Sequence, residues 1–142
     1  MKILKKMPQM KKWIISCGII VLLLSALCAC STQPEHTLEF IEAKALTVED
    51  RDLVGAFCTY TNLSEYACLP CDAINIRAYQ NGVEIPVMVF TGQEVDGFVQ
   101  CDTSVQAGAT ASVIWLFEYK DKSTVTFEFS DGQSHSFNFA AE

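Results

Sequence analysis

Histidine is nearly absent from this chain. Only His36 and His135 occur in 142 residues, which leaves little material for imidazole catalysis or a histidine-rich metal centre. Glycine and proline are sparse as well, at seven and four. No glycine-rich phosphate-binding loop is present, so nothing points to a P-loop or dinucleotide-binding enzyme. No apolar run reaches the ~20 residues that a stable membrane span needs. Basic residues become scarce beyond residue 29. Lys44, Arg51, Arg77, Lys120 and Lys122 stand against all seventeen acids, a net charge of −12 for residues 30–142. Such an acidic surface argues against nucleic acid and against contact with anionic lipid. It suits a solvated face, cationic partners or loosely held cations.

What the sequence does hold begins with its first thirty residues. Lys2, Lys5, Lys6, Lys11 and Lys12 precede an almost wholly apolar stretch from Trp13 to Ala26. That is the layout of a secretory signal peptide, with the lysines kept on the cytoplasmic side. Leu27-Cys28-Ala29-Cys30 then resembles the lipobox of bacterial lipoproteins. Leu27 stands three positions before Cys30 and the small Ala29 directly before it, whereas Cys28 would follow the bulky Leu27. The resemblance implies cleavage after Ala29 and a diacylglyceryl thioether on Cys30. Two acyl chains, at ~0.8 kcal/mol per buried methylene, give stable anchoring where one gives marginal binding. An uncleaved signal anchor, or an ordinary signal peptide cut after Ala29, is the alternative. The expected organisation is a signal peptide over 1–29, a lipidated N-terminus and polar tether over 30–37, and one domain over 38–142. The protein would sit on the extracytoplasmic face of the cell membrane, with the membrane as a partner through Cys30.

The domain has a hydrophobic period of two. Val54, Ala56, Cys58 and Tyr60 share a face; so do Ile74, Ile76 and Ala78. Asn81-Gly82 is the strongest short hairpin signal, because both turn residues need positive φ. The returning strand, Val83–Phe90, contains Pro86 and is expected at a sheet edge. In Thr110–Tyr119, Val113, Trp115 and Phe117 alternate with Ile114 and Leu116, as in a central strand. Val125, Phe127 and Phe129 lead through Asp131-Gly132 to a strand over Ser134–Phe139. Leu38–Val48 fits either a helical stripe or a strand. The pattern predicts an all-β protein, a two-sheet β-sandwich of about seven to eight strands.

Several pieces resemble one family, the bacterial lipoprotein domain of unknown function 5067. They are Phe40-Ile41-Glu42-Ala43-Lys44, Tyr60-Thr61-Asn62, Ala78-Tyr79-Gln80-Asn81-Gly82-Val83-Glu84 and Val105-Gln106-Ala107-Gly108-Ala109-Thr110, covering nearly all of Leu38 to Asp131. The resemblance implies an immunoglobulin-like sandwich, which would make Leu38–Val48 a strand. It carries no enzymatic activity, cofactor or ligand set.

Four cysteines remain outside the leader and its lipid-bearing Cys30: Cys58, Cys68, Cys71 and Cys101. An even number in an extracytoplasmic domain suggests two disulfides, with three connectivities open. Cys68-Leu69-Pro70-Cys71 has the spacing of a thioredoxin-like redox centre, but Asp72–Ile76 after it has the pattern of a strand rather than of the required helix. A local Cys68–Cys71 bridge would also need Pro70 in the cis form at its turn position, unless these cysteines pair elsewhere. A four-cysteine zinc site has only one close pair where two are usual. Glu49, Asp50 and Asp52, and Glu94 with Asp96, lack the spacing of a calcium loop. His36 falls in the tether, and His135 in the apolar phase suits a hydrogen-bonded structural histidine. No catalytic residue, metal ligand or cofactor is assigned. The expected function is a lipid-anchored binding or accessory domain whose partner is a protein or cell-envelope component. An envelope thiol–disulfide protein using Cys68 and Cys71, and a transporter-associated lipoprotein, are the competing functions.

Overall fold

The computed structural model describes residues 34–90 and 92–141; the expected signal peptide and Cys30 lie outside the described residues. The chain opens with a long hairpin of β1 (His36–Val48) and β2 (Arg51–Asn62). Its two-residue loop, Glu49-Asp50, has φ of 49° and 60°. This is the positive-φ pairing whose twist matches that of the strands it joins. β1 begins at His36, so this histidine belongs to the sheet and not to a tether.

The ambiguity of Leu38–Val48 has a specific cause. The β1–β2 register shifts between Phe40 and Glu42. Leu38 and Phe40 pack on the main core before the shift, and Ala43 and Ala45 after it. A bulge therefore moves the inward phase from even to odd numbers. Ile41, at the shift, is 49% exposed.

After β2 the chain makes one helical turn, α1 (Pro70–Ala73), where a strand pattern was expected. Pro70 starts the turn, a position at which a missing N–H costs nothing. There follow β3 (Ile76–Gln80), β4 (Val83–Ile85), β5 (Val87–Met88), β6 (Glu94–Val95), β7 (Phe98–Gln100), β8 (Thr110–Glu118), β9 (Val125–Phe129) and β10 (Ser134–Phe137). A 3₁₀ turn takes up Phe139–Ala141, so the last strand stops at Phe137.

The strands form two sheets, ordered β1-β2-β8-β7-β6 with β5 also on β8, and β10-β9-β3-β4. The orders β1-β2-β8 and β10-β9-β3-β4 match A-B-E and G-F-C-C′ of an immunoglobulin sandwich. Ten strands replace the expected seven to eight. Pro86 divides Val83–Phe90: β4 pairs with β3 in one sheet, and β5 pairs with β8 in the other. The Gly-containing loop around Asp96 adds the hairpin β6–β7, again turning on two positive-φ residues, Asp96 and Gly97.

Between the sheets lies the main core, built from Val54, Ala56, Tyr60, Trp115 and Phe117 against Ile76, Ala78, Val125 and Phe127. A second core covers the opposite face of the larger sheet, where Leu53, Phe57, Ile114 and Leu116 meet Val48 and Phe90. The β5–β7 excursion closes it, with Met88, Val95 and Phe98 as partly buried cover. β8 is apolar on both faces because each face has a core. Gln100, buried at the end of β7, holds this excursion down. Its side-chain amide donates to the carbonyls of Phe90 and Gln93 and accepts the Phe90 N–H.

Candidate functional site

One pole of the sandwich gathers the start of β1, the end of β2, α1 and the loops that enter β8 and leave β9. Its organiser is Asn62, the last residue of β2 and fully buried. Asn62 Nδ2 donates to the carbonyl oxygens of Tyr66 at 2.7 Å and Val105 at 3.0 Å. Asn62 Oδ1 accepts the Ser64 N–H at 3.0 Å and the Ser64 hydroxyl at 2.7 Å. The Asn62 backbone bonds Ala109 and Gly108, and the Leu63 N–H donates to the Glu35 carbonyl at 2.8 Å. The result is a braced loop, 63–66, that holds large apolar groups in solvent. Tyr66 is 77% exposed and Leu63 50%.

Beside this loop three residues from separate segments meet. The Tyr60 hydroxyl lies 2.8 Å from His36 Nδ1 and 2.9 Å from Cys68 Sγ, and Cys68 Sγ is 3.9 Å from the same ring nitrogen. The His36 and Tyr60 rings stack nearly parallel. Burial, followed by the Cys68 hydrogen bond, pushes the Tyr60 hydroxyl above its usual range, so it serves as a neutral hydrogen-bonding group. A groove of about 480 Å³ runs past His36, between Pro34–Leu38 and Phe129–Asp131.

The other cysteines have different surroundings, and all four carry free thiols. Cys58 is sealed in the main core, its Sγ turned to the Ala56 carbonyl, and burial pushes the thiol up to about 12. Cys71 and Cys101 are neighbours: the Cys71 N–H donates to the Cys101 carbonyl at 2.9 Å. Burial is the largest cause raising both thiols, to about 12 for Cys101. The two cysteines of Cys68-Leu69-Pro70-Cys71 thus have different neighbours, Tyr60 for Cys68 and Cys101 for Cys71. Pro70 does not form the cis turn a local bridge would need, because no cis peptide occurs among the described residues.

His135 departs from expectation. Its ring stacks on Phe40 at 4.0 Å and meets Phe129 edge-on, but its Nε2 has no hydrogen-bond partner. Of the acidic groups, Glu49 accepts a hydrogen bond from Gln93 at 2.6 Å. Among the described residues no three His, Cys, Asp or Glu side chains come together as a ligand set. Asn62 was not singled out from sequence. The available signal was a polar residue falling in the inward phase at a strand end, directly before Leu63-Ser64.

The family model of the domain of unknown function DUF5067 matches residues 35–131. The chain belongs to this family. Among solved structures, the DUF5067 domain is similar to one from Staphylococcus aureus subsp. aureus NCTC 8325, described as a "putative lipoprotein". That likeness has a TM-score of 0.57 at 13% identity, covering 75% of this chain and 86% of the other. At that identity it speaks for the shared sandwich fold. No curated protein matches the sequence.

Proposed function

We propose that this DUF5067 protein is a lipid-anchored, extracytoplasmic binding domain, held at Cys30 and contacting a membrane-associated protein through Leu63 and Tyr66. The observation that carries the reading is the Asn62-braced loop. A free loop would bury such groups or leave them mobile; here the side chains of Asn62 and Ser64 and the Leu63 N–H brace the backbone that carries an exposed tyrosine and leucine. Pre-fixed aromatic groups lose little entropy on binding and are favoured as interface anchors. The loop corresponds to the B–C loop, one of those that variable immunoglobulin domains use for binding.

Its position suits a partner near the bilayer. Leu63 is bonded to Glu35, and Glu35 is five residues after Cys30, a reach of at most ~18 Å. The charge of −12 favours a partner with a basic rim over an anionic lipid surface. The Staphylococcus aureus neighbour, described as a "putative lipoprotein", supports the anchored setting.

The test uses the anchored protein in its host, carrying a photo-crosslinking residue at position 66 or, as a control, at Glu128 on the opposite sheet. Acyl mass at Cys30, release from the membrane by Cys30→Ala, and a discrete protein adduct from position 66 alone are expected. A mature N-terminus without lipid would overturn the anchor. Lipid adducts from position 66, or identical adducts from both positions, would overturn the protein contact.

A further inference from the structure

We infer that Cys71 and Cys101 are the one disulfide-forming pair of this domain, joining α1 to the end of β7, while Cys58 and Cys68 remain thiols. The backbone hydrogen bond from Cys71 to Cys101, at 2.9 Å, brings these two residues side by side. Such adjacency is the precondition for a bridge of ordinary geometry, which tolerates only a narrow range of Cα separations. The site is also mechanically prepared. Cys101 is anchored to β8 by its N–H on the Ile114 carbonyl, and α1 is held by the flanking Cys68–Val105 bridge, with both N–H groups paired to carbonyls at 3.0 and 2.9 Å.

The two other cysteines are each occupied. Cys58 is turned into the core toward Ala56, and Cys68 is bonded to the Tyr60 hydroxyl beside His36. This replaces the two bridges suggested by an even cysteine count with one. Formation removes one hydrogen from each thiol. The two electrons pass to the disulfide of an oxidant, which leaves as two thiols by thiol–disulfide exchange. Burial raises both thiols, so the folded pair reacts slowly with an oxidant. The bridge would enclose the chain from α1 through β7, including the whole excursion that closes the second core.

That such oxidation happens in the cell rests on the extracytoplasmic reading above, whereas the pairing does not. The full-length chain, purified reduced in detergent, is treated with oxidised glutathione. Free thiols are then alkylated under denaturing conditions, and the protein is digested without reduction. The expected product is a single linked peptide pair holding Cys71 and Cys101, with alkylated Cys58 and Cys68. The bond should persist in Cys58→Ser and Cys68→Ser, vanish in Cys71→Ser and Cys101→Ser, and its reduction should lower the melting temperature by roughly 10 °C. A bridge from Cys71 or Cys101 to Cys58 or Cys68, a second bridge between Cys58 and Cys68, or no bridge in oxidised wild-type protein would overturn the assignment. The wild-type map decides even where a serine variant fails to fold. Cys71–Cys101 linkage after glutathione, but free thiols in protein taken from the envelope, would sustain the pairing and overturn its oxidation in the cell.

Discussion

At the scale of single residues, the buried polar residues among the described ones are three amides, and each holds a loop. Asn62 braces 63–66. Gln80 donates to the carbonyls of Asp121 and Ser123 and accepts the Lys120 N–H. Gln100 clamps Phe90 and Gln93. A carboxamide offers a donor and an acceptor like the peptide group itself, so it can stand in for a missing strand and satisfy backbone groups that a loop would leave buried and unpaired. Removing such a clamp exposes the asymmetry of hydrogen bonding: the bond is modest, the orphaned partner costly. Gln100→Leu is therefore expected to lower stability by about 2–3 kcal/mol, since it strands the buried N–H and carbonyl of Phe90. Urea denaturation measures this; a loss under ~0.5 kcal/mol, the range of ordinary surface changes, would show that the clamp is dispensable.

At the scale of elements, three tight hairpins turn on positive-φ pairs, but only two use glycine. Asn81-Gly82 and Asp96-Gly97 suit the geometry; Glu49-Asp50 does not. A left-handed residue with a Cβ costs roughly 1–2 kcal/mol. Glu49→Asn together with Asp50→Gly should stabilise the domain by about 1 kcal/mol, raising its melting temperature by ~4 °C. The Gln93–Glu49 hydrogen bond is exposed and offsets little of this. An unchanged or lower melting temperature would show that Glu49 contributes more than its backbone strain costs. Elements were legible in sequence where one periodicity ran unbroken, as in β2, β8, β9 and the Asn81-Gly82 hairpin. They were obscured where a backbone event reset the phase: the bulge at Ile41, the sheet change at Pro86 and the helical turn begun by Pro70.

At the scale of the whole molecule, the larger sheet is buried on both faces. This is unusual for an antiparallel sheet, which commonly keeps one face wet. The β5–β7 excursion is thus a structural cover rather than a loose loop. Ile114→Ala, on the outer core, should cost about 3 kcal/mol, within the range for buried Ile truncations and comparable to a substitution between the sheets. Denaturant unfolding would test it; a loss below ~1 kcal/mol would mean that the outer cluster is only a surface patch. The acidic charge left beyond residue 29 covers this doubly packed body, and among its few large exposed apolar groups are Tyr66 and Leu63.

The sequence by itself determined what depends on local chemistry. Alternation of Val, Ile, Phe and Trp specified an all-β domain, Asn81-Gly82 its hairpin, and the lysine-led apolar stretch before Cys30 an expectation of export and anchoring. These signals are legible because each is contained within a few neighbouring residues. Only the tertiary structure decided what depends on residues distant in the chain. It split Cys68 from Cys71, seated Cys71 against Cys101, brought His36 and Cys68 to Tyr60, and turned Asn62 from a strand-closing polar residue into the brace of an exposed loop. Those meetings follow from strand order and register, which the burial of two cores fixes together and no local pattern encodes.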